Sequence, residues 1–387
     1  MENVYLDNSA TTKVDERVID EMLPYFRTYY GNASSLHSFG RDASNALASS
    51  RQRVAEIINA RNDEVIFTAG GTESDNIAIL GVAKALREKG DHIITSSIEH
   101  PAVLETCESL ERSGFEVTYL PVDDKGMISL RDLEDSLCER TILVTVMHAN
   151  NEIGTIQPIR EIGKMAHEHG ALFHTDAVQS LGKLPIDVQR DNIDLLSISG
   201  HKLHGPKGIG ALFIKDGTPI KPIIYGGGHE RGLRSSTENI PGIVGLGKAC
   251  DISKRDLEKD IRYISGLRDK LIKGIFDEIP KVRLNGHPEK RLCNNVNMSF
   301  EAVEGEALVL ALDRAGIASS TGSACSSKKS KASHVLLAIG LREVTAYGSL
   351  RLSLSRMNTV EEIDYVLEKL PDIMSKLRYM SPLWMEE

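Results

Sequence analysis

The chain has no cysteines at CxxC spacing; its five cysteines, Cys107, Cys138, Cys250, Cys293 and Cys325, are scattered and odd in number. That speaks against a disulfide framework and a four-cysteine zinc site, and fits a reducing cytoplasm. No apolar run approaches the ~20 residues of a membrane span. Residues 1–12 are polar and carry no signal-peptide pattern. Positive charge is in deficit: 46 Lys and Arg against 55 Asp and Glu leave a net charge of −9, which argues against a general nucleic-acid-binding surface. There is no internal repeat and no low-complexity segment.

What is present is the composition of a globular chain, 41% hydrophobic and 26% charged. At 387 residues it exceeds the size at which one core stops growing, so two domains are expected. Helical spacing over residues 14–25 and 43–58 gives way to short apolar runs (65–67, 92–94, 115–122, 141–147, 171–173, 194–198) alternating with helical segments (73–89, 102–112, 158–169). This alternation predicts an α/β fold with a mainly parallel sheet covered by helices, and such sheets place ligands at the carboxyl ends of their strands. Residues 240–275 read as a charged helical connection, and the remainder as a smaller α+β unit. The expected division is a large domain over residues 15–255 and a small one made of residues 1–14 and 256–387.

One stretch stands out between two apolar runs: Ser199-Gly200-His201-Lys202-Leu203-His204-Gly205-Pro206-Lys207-Gly208-Ile209-Gly210. A lysine in a partly desolvated pocket loses its proton and can form a Schiff base with a carbonyl, while Ser199 and His201 can hold an anion. Read by itself the loop is an ordinary hairpin with solvated lysines. Other strand ends give it meaning. Phe67-Thr68-Ala69-Gly70-Gly71-Thr72-Glu73-Ser74 joins a strand to a helix start, whose free N–H groups suit a phosphate. It has no Walker lysine and is not GxGxxG, and it also reads as a common turn. His100 follows another strand and suits stacking on an aromatic cofactor and proton exchange, or plain capping. Asn150-Asn151 reads as ligand hydrogen bonding or as a turn.

Asp176, in His174-Thr175-Asp176-Ala177-Val178-Gln179, stands at the end of a buried strand 26 residues before Lys202. An acid there is costly unless paired. Beside a pyridine nitrogen it keeps that nitrogen protonated, so the ring accepts electrons from a carbanion; a helix N-cap is the other reading. Thr237 suits a phosphate contact or a cap. Arg351 on a strand suits a bidentate clamp on a carboxylate, or a surface salt bridge. Cys325 lies in Ser320-Thr321-Gly322-Ser323-Ala324-Cys325-Ser326-Ser327-Lys328-Lys329, among small and hydroxyl residues with lysines just beyond, and nearby positive charge favours the reactive thiolate.

Together these residues resemble the NifS/IscS-type cysteine desulfurases, fold-type I pyridoxal-phosphate enzymes of the class V aminotransferase-like group. The resemblance runs from Tyr5-Leu6-Asp7-Asn8-Ser9-Ala10-Thr11-Thr12 to Ser349-Leu350-Arg351, nearly the whole chain. It implies pyridoxal 5'-phosphate bonded to Lys202, with its phosphate on Gly71, Thr72, Ser199, His201 and, across a homodimer, Thr237. His100 would stack on the ring, Asp176 would face the pyridinium, Asn151 and Gln179 would meet ring substituents, and Arg351, with Asn151, would bind the substrate carboxylate. Lys202 would be the base, and Cys325 would take sulfur from L-cysteine as a persulfide. The resemblance further implies an IscU-like iron–sulfur scaffold or another sulfur acceptor such as a tRNA-thiolation protein, with Cys325 as a candidate shared ligand of a transient [2Fe–2S] cluster. Direct nucleic-acid binding and membrane association are not expected. A selenocysteine lyase, a related aminotransferase or a non-catalytic scaffold are the competing readings; a loop thiol has no use in transamination. Gly71 stands where the family commonly has Ala, Ala33 and Ala332 where it has Pro, and Ser236 where it has Gly.

Overall fold

The apolar runs become the strands of one large sheet in the computed structural model, which describes residues 3–321 and 332–384. In chain order the strands are β1 (Val4–Tyr5), β2 (Val65–Thr68), β3 (His92–Ser96), β4 (Glu116–Leu120), β5 (Thr141–Thr145), β6 (Leu172–Asp176), β7 (Leu195–Ser199), β8 (Gly210–Ile214), β9 (Val282–Leu284), β10 (Asn295–Phe300), β11 (Ile317–Ala318) and β12 (Ser349–Ser353). The helices are α1 (Glu16–Arg27), α2 (Ser38–Ile57), α3 (Gly71–Leu86), α4 (Pro101–Arg112), α5 (Leu130–Ser136), α6 (Ile159–Glu168), α7 (Ile240–Glu278), α8 (Gly305–Arg314), α9 (His334–Ala338), α10 (Glu343–Tyr347) and α11 (Val360–Tyr379).

Seven strands lie in the order β2-β8-β7-β6-β5-β3-β4. The five from β7 to β4 are mutually parallel, and β8 runs antiparallel to both its neighbours, β2 and β7. The loop between β7 and β8 explains the reversal. It is too short for the crossover of about a dozen residues that a parallel neighbour requires, so the chain returns as a hairpin. Lys202 therefore sits on a hairpin, as the simplest reading of its loop has it, and that hairpin is also the centre of the candidate site.

Successive residues of each strand feed opposite layers. Ile93, Leu143, Leu195 and Leu212 pack with Ile77, Ile79 and Val82 of α3 and with Val103 and Cys107 of α4. Their neighbours Ile94, Val144, Leu196 and Phe213 pack on the other face with α1, α2, α6 and the first half of α7. Burial on both faces accounts for the continuous apolar runs, which a one-faced sheet would break by alternation.

The 39-residue α7 starts from Asn239, whose side chain accepts from Gly242 N, with Pro241 in the first turn, where a missing N–H costs nothing. Ile243, Leu246, Ala249 and Ile252 of α7 belong to the core of the large sheet. Ile264, Leu267, Leu271 and Ile275 belong to a second core, built on the antiparallel sheet β12-β10-β9 with α8 and α11. The start of the chain joins this second core through Val4 and Leu6, and β1 pairs in parallel with β11. Among the described residues no helix is long and apolar enough to cross a membrane.

Candidate active site

The carboxyl ends of β2, β3, β5, β6 and β7 meet around a cavity of about 220 Å³. Lys202 and His201 enter it from the hairpin, Asp176, Val178 and Gln179 from the end of β6, and His100 from the turn after β3. Gly71 and Thr72 close one end, Asn151 and Arg351 the other. The cavity shares Ala10, Gly71, Thr72, Ser199 and His201 with a wider opening of about 710 Å³, where Lys207 lies.

Lys202 is held by backbone. Its Nζ donates to the carbonyl of Ala10 at 2.7 Å and to that of Ser9. The segment carrying those carbonyls is laced to the hairpin: Thr12 N and Oγ1 both donate to His201 O at 2.9 Å, and His204 N donates to Thr12 Oγ1 at 2.9 Å. Beneath the loop, the buried Lys183 donates to Gln179 O at 2.9 Å, and burial lowers its amine to about 8.

At the anion end, Gly70 caps α3 with φ 157° and ψ −177°, a region essentially restricted to glycine, and no side chain caps the helix. The first N–H groups of α3 are thus left for a ligand. A Cβ on Gly71 would meet Val178 Cγ2 at 2.7 Å, so the cradle is tight as well as polar. His201 is driven down to about 4 by burial first and then by the charges of Lys202, Lys207 and Lys183, and its Nδ1 lies 3.1 Å from Thr11 Oγ1. A neutral imidazole beside several ammonium groups suits an anion that would offset them.

The far wall is acidic and buried. Asp176 Oδ1 accepts from Val178 N at 2.8 Å, a turn of the capping kind anticipated for it. Burial raises its carboxyl above the ordinary range, with His100 and Lys202 pulling it partly back. Asp75 of α3, 1% exposed, also lines the cavity; burial and the negative Asp176 hold it well above a normal carboxylate, and its Oδ1 has no hydrogen-bond partner. A buried His174 lies 3.7 Å from Asp75 and is neutral, at about 3 through burial. A ligand cation facing Asp176 would favour its charged form. His100 both lines the cavity and caps α4, accepting from Ala102 N at 3.1 Å, so the two readings of that histidine are compatible. Burial lowers its pKa and keeps the ring neutral.

Arg351 is 3% exposed on β12 and spans two parts of the chain. One terminal nitrogen donates to Asp7 Oδ1 at 2.9 Å, the other to Asn151 O at 3.2 Å, and its Nε has no partner. Gln179 donates to Ser9 O at 2.9 Å and leaves its buried Oε1 unsatisfied. Unpaired buried polar atoms, an uncapped helix start and a buried acid fit a ligand with an anionic end, a basic ring nitrogen and a carboxylate partner, which is the inventory of pyridoxal phosphate with an amino acid.

Thr237 is exposed and does not line this cavity within one chain. Cys325 lies outside the described residues. The other thiols are poor nucleophiles where burial is complete: Cys107 and Cys250 are pushed up to about 12 and Cys293 to about 11. Among the described residues no group of three or more His, Cys, Asp or Glu side chains could hold a metal ion. Sequence reasoning missed Asp75, His174, Asp7 and the carbonyls of Ser9 and Ala10. Asp75 carried one signal, an acid at the head of the apolar run Ile77-Ala78-Ile79-Leu80.

The family of aminotransferases of class V matches residues 4–366. The cysteine desulfurase IscS of Methanosarcina thermophila is 55% identical over 384 residues, covering 99% of this chain and 95% of that protein. That of Dictyoglomus turgidum is 50% identical over 379 residues, covering 98% and 96%. Among solved structures, a NifS-like protein superposes with a TM-score of 0.92 at 40% identity, over 97% of this chain and all of that one. A structure of SspA in complex with cysteine gives 0.82 at 39% identity, over 93% and 100%. The fold, the motifs and these likenesses agree, and the chain belongs to the class-V aminotransferase family, among its NifS/IscS-type cysteine desulfurases.

Proposed function

We propose that the protein converts L-cysteine to L-alanine and takes the sulfur on Cys325 as a persulfide. The observation that carries this reading is the meeting, in one cavity, of the Lys202 amine, the Asp176 carboxyl and the incompletely satisfied guanidinium of Arg351.

Gly71, Thr72, Ser199 and His201 would hold the phosphate of pyridoxal phosphate, Asp176 its ring nitrogen, and Asn151 and Gln179 its substituents. Bound there, the cofactor supplies an electron sink for a carbanion at the substrate Cα. Arg351 binds the substrate carboxylate in exchange for part of its present contact with Asp7 and is thereby a pre-charged clamp. Lys202 takes the Cα proton. His100, whose Nδ1 accepts from Ala102 N, would stack on the ring and present Nε2–H as a donor within the cavity. The Cys325 thiolate then attacks the substrate sulfur: the S–S bond forms, the C–S bond breaks, and its electron pair remains on Cβ, which takes up a proton, while Cα regains the proton held by Lys202 to give alanine.

The same reading includes a homodimer in which Thr237 reaches the partner copy's phosphate, a cytoplasmic location, and delivery of the sulfur to an iron–sulfur scaffold protein, with Cys325 a shared ligand of a transient [2Fe–2S] cluster. It divides the chain into a cofactor domain, 15–255, and a smaller domain of 1–14 and 256–387 that carries Cys325. Purified protein given L-cysteine and a reducing thiol should release alanine and sulfide in equal amounts. Formation of a keto acid, with the amino group left on the protein's cofactor, would replace this reading with transamination.

A further inference from the structure

A single buried hydrogen bond joins residues 181 positions apart: Ser333 Oγ donates to Glu152 Oε2 at 2.5 Å. Both residues are 5% exposed. The Ser333 hydroxyl is saturated, because it also accepts from Leu336 N at 3.2 Å as the N-cap of α9. Glu152 is equally constrained. Its N–H donates to Asn150 Oδ1 at 2.9 Å, and its carbonyl accepts from Asn295 Nδ2 at 2.9 Å and Asn297 Nδ2 at 3.1 Å. Glu152 directly follows Asn151, which lines the cavity, and Ser333 lies eight residues beyond Cys325. The remainder of α9 is fastened to the other wall of the site. His334 Nε2 lies 3.0 Å from the carbonyl of Glu99, the residue before His100, and Val335, Leu336 and Ile339 pack with Ile98 and Ile153. On the other side of Cys325, Ser320 pairs with Arg351 through two backbone hydrogen bonds, of 3.2 and 2.6 Å.

We infer that Glu152 is a positioning residue for the sulfur-transfer step, acting through Ser333 to fix the chain on the carboxyl side of Cys325 relative to Asn151. The inference rests on the desulfurase reading above. Its physical basis is orientation: the bond holds Ser333, on the carboxyl side of Cys325, against the residue that follows Asn151, and its loss loosens that anchor while the other contacts of α9 remain. The bond does no chemistry and touches no reacting atom, so the earlier removal of the Cα proton by Lys202 does not depend on it.

The test uses the holoenzyme and separates the two steps in a single turnover with L-cysteine. The cysteine-induced change in cofactor absorbance follows the first step, and mass spectrometry of quenched samples follows persulfide on Cys325. Glu152→Ala removes the acceptor and keeps the α9 cap; Ser333→Ala removes the donor; Ser333→Thr keeps a hydroxyl. Glu152→Ala and Ser333→Ala should leave the absorbance change within about two-fold of wild type and slow persulfide formation about ten-fold, with Ser333→Thr close to wild type. The Glu152→Ala/Ser333→Ala double variant should be no slower than either single one. Wild-type persulfide rates in both single variants would overturn the inference alone, as would equal slowing of both steps, which would make the bond merely structural. A wild-type protein that forms no persulfide on Cys325 would overturn the desulfurase reading and the inference with it.

Discussion

Lys202 and Lys207 are five residues apart on one hairpin, yet their surroundings differ in kind. Lys202 points into the enclosed cavity against two carbonyls, whereas Lys207 lines the open mouth. Lys202→Ala should abolish both the visible absorbance of the purified protein and its alanine production, and Lys207→Ala should keep the absorbance. The reverse pattern would move the cofactor bond to Lys207. Gly71 offers a sharper test, because the family commonly carries Ala there while a Cβ at this position would come within 2.7 Å of Val178 Cγ2. Gly71→Ala should weaken cofactor binding, since overpacking of a tight site costs about 1–3 kcal/mol. Val178→Ala on the same chain should restore it, a coupling measurable by cofactor titration of the two single variants and the double variant. The side chains that project into the cavity were legible in the sequence because Lys, Asp, His and Gln at strand ends carry recognisable chemistry. Ser9 and Ala10 were not legible as partners of Lys202. They act through carbonyls that every residue possesses, and they come from a segment some 190 positions away.

Among the elements, the parallel part of the sheet was readable from its double-faced apolar runs, while the reversal of β8 was hidden. Ile209-Gly210-Ala211-Leu212-Phe213-Ile214 is as apolar as its parallel neighbours, and only the short loop before it tells the direction. Also hidden was that the charged helical stretch forms one unbroken helix, because a charged connection between domains is compatible with several helices. The continuity of α7 has a mechanical consequence at Lys259, an exposed residue between the segment packed on the first core and the segment packed on the second. Proline there removes one N–H and clashes with the carbonyl of Arg255, at a cost of about 3 kcal/mol. Lys259→Pro should split the calorimetric unfolding of the protein into two transitions, and Lys259→Ala should leave it unchanged. A single, merely lowered transition in the proline variant would mean that the two cores are coupled by surfaces other than this helix.

For the whole molecule, buried ionisable groups impose opposing pH dependences. Burial holds His148 and His204 at about 4 and His174 at about 3, against 6.5 in an unfolded chain. Below 6.5 the unfolded chain binds protons that the folded one refuses, so these residues remove stability as pH falls toward 4. Glu99 acts in the opposite sense. Burial lifts it from 4.5 to about 8, so the folded state holds a proton the unfolded state has lost, and this contribution, complete below 4.5, disappears as pH rises to 8. Each such group gives a slope of about 1.4 kcal/mol per pH unit inside its window. Glu99→Gln, whose amide imitates the protonated acid toward Ser96 and Met147, should flatten the decline of the melting temperature between pH 6.5 and 8. It should also steepen the acid limb below 6.5, where the histidines would then act against less opposition. A variant whose melting profile superimposes on that of wild type would show that Glu99 is ionised in the fold.

The lacing of residues 4–12 has an implication for the order in which the chain is made. These residues leave the ribosome well before their partners, which are widely spaced: Lys202 and His201 for Ser9, Ala10 and Thr12, Ile317 and Ala318 for β1, and Arg351 and Ser353 for Asp7 and Asn8. At about 5–20 residues per second, the roughly 340 residues between Asp7 and Arg351 take some 20–70 s to synthesise. During that interval the nascent chain can complete the β7–β8 hairpin without the clamp that will restrain its substrate. An interrupted message would therefore yield a fragment holding a reactive amine but no guanidinium opposite it. In this fold a strand translated late certifies a loop translated early.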